Sequence, residues 1–270
     1  MKKIWLLAIL FCRLSADAQE LYVFSEPASN MPANSVGIRQ QLRRVEAAPN
    51  FDGGTRSSTE IMYGANKNWM LHAAFTFSDM YSAYFRAESF RVYGKYRFFS
   101  HDDLYRHLRM AAFGEISYSR NPQMYDEISL EGDLSGVQTG IIVTQLLHKL
   151  AISATGSYVN SLRPIQNDMH SRPISQDAFS YSFSAGYLLF PMRYTSYNQT
   201  NVNLYCELLG QNALLSKVQY TDLAPAIQFI FNSQTKLNIG YRYQLSNTMH
   251  RMGRQGWLVS MEWLFLKKPK

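Results

Sequence analysis

From Ser35 to Phe265 the sequence is an almost continuous series of segments in which one face is aromatic or aliphatic and the other small or polar. Side chains two residues apart share a face only in an extended strand, so this period makes strands the dominant element. In the segment 69–78, Trp69, Leu71, Ala73, Phe75 and Phe77 oppose Met70, His72, Ala74, Thr76 and Ser78. In 179–189, Phe179, Tyr181, Phe183, Ala185, Tyr187 and Leu189 alternate with serines and Gly186. The last segment sets Trp257, Val259, Met261, Trp263 and Phe265 against Leu258, Ser260, Glu262 and Leu264. The pattern predicts twelve strands, near 35–43, 57–65, 69–78, 86–98, 107–119, 136–147, 150–160, 178–189, 201–210, 221–231, 235–245 and 255–265. The first and the tenth, which contains Pro225, are the weakest of them.

Two all-β solutions satisfy such a pattern, a secreted sandwich and a membrane barrel. Charged residues are only 17% of the chain while aromatics reach 14%, against a globular norm of about 25% charged. Many strand ends carry an aromatic (Trp69, Phe98, Tyr118, Tyr158, Phe179, Trp257, Phe265), as the interfacial girdles of a membrane barrel require. Several segments reach the roughly 9–11 residues that cross a bilayer at a tilt. Long links at 44–56, 120–135, 161–177, 211–220 and 246–254 broadly alternate with short ones at 66–68, 148–149 and 232–234. That asymmetry suits short periplasmic turns and long extracellular loops, and an even strand number returns both chain ends to the periplasmic side. Three links fit less well: 79–85 is short for an outer loop, and 99–106 and 190–200 are long for turns. Because lipid offers no hydrogen bonds to an open sheet edge, the expected fold is all-β, a transmembrane antiparallel up-and-down barrel of about twelve strands.

Residues 1–18 read as a signal peptide, with Lys2 and Lys3 before the apolar run 4–11 and an Ala16-Asp17-Ala18 cleavage site. Phe11 before Cys12 is too bulky for lipoprotein processing. The remaining divisions are an N-terminal periplasmic or plug segment at 19–34, the barrel at 35–266 and a tail at 267–270. Losing Lys2, Lys3, Arg13 and Asp17 lowers the formal net charge from +7 to +5, with no basic cluster, so nucleic acid is not an expected partner. Cys206 is then the sole cysteine, and an intramolecular disulfide is impossible.

The stretch YVFSEPASNMPANSVGIR from Tyr22 to Arg39 resembles the opening of uncharacterised Bacteroidota outer-membrane β-barrel proteins, as do Tyr96-Arg97-Phe98 and Leu130-Glu131-Gly132-Asp133. More loosely, the chain is similar to the porin-like barrels of the MetA-pathway phenol-degradation group. The resemblance implies a Gram-negative outer-membrane location and the barrel fold, and names no solute. It also implies recognition by the barrel-assembly machinery, for which Phe265, followed by Leu266 and a short basic tail, stands as the terminal aromatic.

Chemistry-bearing patterns are few. Neither His72 nor His148 has a serine two residues on, and His170-Ser171 sits in a proline-bounded loop, so no hydrolytic site and no enzyme is expected. No phosphate-binding or zinc motif is present, and no cofactor is expected. Asp126, Glu127, Glu131 and Asp133 could hold Ca²⁺, or simply form a solvated loop facing lipopolysaccharide. Met169 with His170, and Met249, His250 and Met252, are soft-metal candidates; packing is the plainer role for methionine. Facing the lumen the register predicts His72, Glu88, Arg91, Lys95, Arg97, Arg109, Glu115, Glu207, Arg242 and Glu262. These could line a narrow pore for a small solute, or pair across it and seal it for a structural, adhesion or metal-capturing surface role. A pore would show a continuous polar lumen; a sealed barrel would show cross-lumen ion pairs and an inserted N-terminal segment.

Overall fold

A computed structural model describes residues 22–47, 52–104, 106–162, 174–191 and 199–266. The signal-peptide segment, the tail 267–270 and the pair Met169 and His170 lie outside the described residues. Twelve antiparallel strands close into one barrel. They are β1 (Ser35–Val45), β2 (Gly54–Gly64), β3 (Trp69–Ser78), β4 (Arg86–Asp102), β5 (Arg106–Ser119), β6 (Gly136–Leu147), β7 (Leu150–Ser161), β8 (Asp177–Phe190), β9 (Asn201–Ala213), β10 (Gln219–Phe231), β11 (Thr235–Asn247) and β12 (Gly256–Phe265). Each pairs with its neighbour in sequence, and β1 closes on β12 from Val36↔Phe265 to Val45↔Gly256. Among the described residues no edge strand is left, which is the condition for a sheet in lipid.

Two rims follow from this topology. The rim holding Ser35 and Phe265 carries the ten-residue link between β8 and β9, long for a turn as its sequence suggests, and otherwise short turns. At one, the side chain of Asn66 accepts from the backbone of Asn68 and Trp69; at another, Asn232 and Ser233 both take positive φ (50° and 56°), the backbone of a tight hairpin. The opposite rim carries the long links. The turn expected at 99–106 is shorter than its sequence suggests. A bulge between Arg97 and Phe99 resets the register, so pairing runs on from Phe99↔Met110 to Asp102↔His107 and shortens the link between β4 and β5. Two consecutive aromatics, Phe98 and Phe99, break the alternation there and hide the extension. Pro225 does lie in a strand, but the ladder to β11 passes from Leu223↔Tyr243 to Ala226↔Gly240, skipping the residue that has no N–H to give.

Outside, the barrel is apolar. Trp69 on Tyr96 (4.8 Å between ring centres) and the exposed Phe98, Phe190, Phe231 and Phe265 belt the terminal rim. Tyr241 on Trp257 (4.8 Å) and the exposed Phe77, Tyr118, Tyr158 and Phe179 belt the other. Phe183 is 55% exposed and points outward, whereas its neighbour Ser182 faces in and is 8% exposed. Phe183→Arg is therefore expected to cost about 2–4 kcal/mol near the bilayer midplane, measured by urea unfolding in lipid vesicles. Ser182→Arg, which enters the cavity described below, should cost far less. Equal losses from the two would overturn the assignment of faces.

Candidate functional site

The interior is charged, and it is filled from both ends. Residues 22–34 turn back from the start of β1 into the barrel. Ser35 Oγ donates to the carbonyl of Pro32, and the backbone N–H of Asn34 donates to Gly64. Farther in, the ammonium of Lys95 donates to the carbonyls of Pro27 and Ser29 at 2.7 and 2.8 Å, and Arg109 donates to Ser29 Oγ. The backbone N–H of Ala28 donates to Thr144 Oγ1 at 2.9 Å, and Ala28 itself is buried among Ala111, Ile142 and Phe113. At the far end one carboxylate gathers the chain. Glu207 accepts from the N–H groups of Val23 and Phe24 (2.8 and 2.9 Å) and from the hydroxyls of Ser25 and Ser184 (2.6 and 3.1 Å). Its partners are N–H and O–H donors rather than a cation, and three of the four are there only while the segment is in place. Tyr22 packs edge-on against Tyr205 within the apolar group of Leu146, Ala151 and Ala226.

Above the segment a network of ion pairs runs along the inner wall from β11 through β12 and β1 to β5. Arg39 reaches Glu26 and Glu60 at 3.1 Å each and Glu262 at 3.0 Å. Glu60 also meets Arg91 (3.2 Å) and His72 (3.1 Å); Arg91 continues to Glu115 (3.3 Å), and Lys236 to Glu262. Burial pushes the Glu26 carboxyl up, but the Arg39 guanidinium and Lys95 beside it outweigh this and hold it below its ordinary value.

The loop 120–135 closes the other end, and it is not a solvated loop. It folds inward, with Ile128, Leu130 and Leu134 buried against Val159 and Ala178. Ile128 exchanges two hydrogen bonds with the amide of Gln211. Its carboxylates meet guanidiniums: Glu131 with Arg43 and Asp133 with Arg56 (2.6 Å each), Glu127 with Arg251 (2.9 Å) and Arg242 (3.3 Å). Asp126 binds the backbone N–H of His250, tying this loop to 248–255. A cavity of about 340 Å³ remains between segment and loop, bordered by Glu26, Arg39, Arg91, Glu115 and Glu131 among others.

Nine of the ten residues expected in the lumen are thereby distributed over three levels. Lys95, Arg109 and Glu207 hold the segment; His72, Arg91, Glu115 and Glu262 form the ion-pair layer; Glu88 and Arg242 sit under the loop, on Arg56 and Asp222. Arg97 stands apart, donating to the carbonyl of Lys67 at a terminal turn. Sequence reasoning missed Arg39 and Glu60, the centre of the network, although alternation with Ile38 and Ile61 places both on the inner face. Met249 packs with Ala213, Val218 and Tyr220, His250 stacks on Tyr125 at 5.1 Å, and Met252 is buried. Among the described residues no cluster of three or more His, Cys, Asp or Glu side chains could hold a metal ion, and the loop carboxylates offered for Ca²⁺, Glu127, Glu131 and Asp133, are each paired with a guanidinium instead.

The loop's docking has a pH signature. Burial pushes the Glu127 carboxyl up, but Arg251 and Arg242 more than offset it, and the pKa falls from 4.5 to about 2. Glu131 falls likewise to about 2, burial being outweighed by Arg43 and Arg91. Carboxylates lowered in the docked state contribute fully above 4.5 and lose that contribution as pH falls toward about 2. Hydrogen exchange of the 126–134 amides, corrected for its intrinsic pH dependence, should show constant protection from pH 7 to about 5 and progressive loss below 4.5. Loss of protection already near pH 6 would mean that these pairs do not hold the loop.

No protein-family model matches this sequence, and no curated protein does at a significant level. Among solved structures the NanC porin superposes with a TM-score of 0.50 at 12% identity, over 84% of this chain and 98% of that one. The KdgM porin gives 0.47 at 8% identity, over 86% and 99%. The translocator domain of the autotransporter NalP from Neisseria meningitidis gives 0.47 at 10%, over 87% and 90%. The likeness to the NanC porin is one of fold: a closed, outer-membrane-type β-barrel.

Proposed function

We propose that the protein is a porin-like channel of a Gram-negative outer membrane, passing a small solute passively, and that residues 22–34 and loop 120–135 close it at rest. The carrying observation is the contrast between wall and contents. The wall is continuous and apolar outside, while the lumen is blocked by segments held through side-chain hydrogen bonds and ion pairs rather than by strand pairing. Contacts of that kind, together with the apolar seats of Tyr22 and Ile128, can open without breaking the barrel ladder. The reading assigns no covalent chemistry to the barrel. It takes the lipid bilayer with its lipopolysaccharide and the barrel-assembly machinery as partners, and keeps the Bacteroidota resemblance of 22–39 as a proposal.

A permanently sealed barrel is the second reading, and a specific observation favours it: the inserted segment, tied to the wall through Glu26 on Arg39 and through Glu207, is one of the marks expected of such a barrel. Conductance separates the two. Purified protein in a planar bilayer should show discrete, intermittent current steps if the closure is reversible. A barrel silent in the native form, and still silent after both inserts are released, would sink the channel reading.

A further inference from the structure

Loop 120–135 fills its seat with carboxylates, and the seat is built of guanidiniums. Resting on the channel reading above, we propose that this seat is a binding site for a small solute carrying two or more oxyanion groups (carboxylate, phosphate or sulfate), and that the loop is an internal occupant which such a solute displaces.

Three loop carboxylates each meet an arginine of the barrel wall, and Glu131 also lies 3.9 Å from Arg91. Glu131 answers Arg43, Asp133 answers Arg56 and Glu127 answers Arg242. Two of these arginines, and the adjoining Arg91, would stay oriented once the loop left: Arg56 keeps Glu88, Arg242 keeps Asp222, and Arg91 keeps Glu60 and Glu115. Arg43 is different. Among the described residues its ion-pair partner is Glu131, so lifting the loop bares its whole planar fork. Arg56 points the same way: it is 4% exposed, and its Nε is buried with no hydrogen-bond partner although its Nη2 meets both Glu88 and Asp133. The loop therefore uses the seat incompletely.

Its backbone is nonetheless shaped to lie on that arginine. Gly132 has φ +117°, and a Cβ there would fall 2.8 Å from Arg56 Nε and 2.9 Å from Thr76 Cγ2. Only glycine lets the chain approach so closely. Beside the seat is the cavity of about 340 Å³, a size in the range that small ligands fill, so an arriving solute has room before the loop departs. An anion with two or more oxyanions replaces carboxylate by like at guanidiniums whose desolvation is already met. A neutral solute would leave the vacated donors unpaired and pay for it in affinity.

The test uses the full chain in detergent at low ionic strength, with citrate as probe and xylitol as neutral comparator, titrated calorimetrically. Removing the competing charges with Glu127→Gln, Glu131→Gln and Asp133→Asn together should tighten citrate binding about tenfold and leave xylitol unaffected. Adding Arg43→Gln in that background should abolish most of the gain. Gly132→Ala lifts the same loop through its backbone rather than its charge, and should tighten citrate in the same direction if the triple variant does not fold. Citrate binding equal in native and released chains, or a matching gain for xylitol, would overturn the proposal. Because binding is read without a membrane, absent binding beside normal conductance rejects this site alone, and binding without conductance rejects the channel reading alone.

Discussion

Deleting residues 20–34 is expected to raise single-channel conductance severalfold while the barrel still inserts and keeps its strand content. The ladder does not depend on the segment, since all twelve strand pairs, including the closure of β1 on β12, are made without it. What the deletion removes is the chain that crosses the lumen from Pro32 to Tyr22 and its contacts with Lys95, Arg109, Thr144 and Glu207. Those wall groups do not collapse into the space, because freshly exposed ammonium, guanidinium and carboxylate groups are hydrated, and water follows them in. A hydrated lumen conducts. Loop 120–135 still narrows the other end, so the current should rise again when Glu127→Gln and Glu131→Gln are added to the deletion. Glu207→Ala offers a gentler route to the same result: four donors lose their common acceptor, and the segment should come free part of the time. A folded deletion variant with unchanged conductance would leave the segment as a leader or docking arm and put the closure in the outer loop.

How much of this could be read from the residues follows from the range over which each signal acts. Strand positions are local. Trp69 to Ser78 alternates without a fault, and the strand has those same bounds. The longer reach of β4 was hidden because Phe98 and Phe99 both look outward across a bulge, and a period of two cannot register an inserted residue. Arg39 was harder for a different reason. Its segment mixes Gln40 and Gln41 with Arg43 and Arg44, so inner and outer faces differ little in polarity until β2 and β12 are set beside it. Its partner Glu262 is 223 residues away; no spacing rule joins them, and only barrel closure does. For the N-terminal segment, two prolines and an apolar start are equally compatible with a solvated leader and with an insert. What decides is the complementarity of Lys95 and Glu207 to its backbone, carried by strands β4 and β9.

Arg39→Ala should cost about 3–5 kcal/mol of barrel stability, the range for leaving a buried ion pair without one of its partners. One guanidinium here serves three carboxylates on three elements: Glu60 on β2, Glu262 on β12 and Glu26 on the inserted segment. The side chains of Glu60 and Glu262 are each only 7% exposed, so neither can turn to bulk water. Lys236 remains on Glu262, and His72 and Arg91 on Glu60, which puts the expected loss at the lower end for each carboxylate but leaves Glu26 with Lys95 alone at 3.7 Å. Arg39→Lys should recover part of the loss only, since a single ammonium cannot answer three acceptors arranged around a planar fork. Urea unfolding in lipid vesicles gives the stability, and the same experiment on the 20–34 deletion gives the coupling. If Arg39 ties the segment to the wall, its replacement should cost less once the segment is gone, because Glu26 goes with it. Equal costs in both backgrounds would confine Arg39 to joining β1, β2 and β12, and would leave Glu207 and Lys95 as the groups that hold the insert.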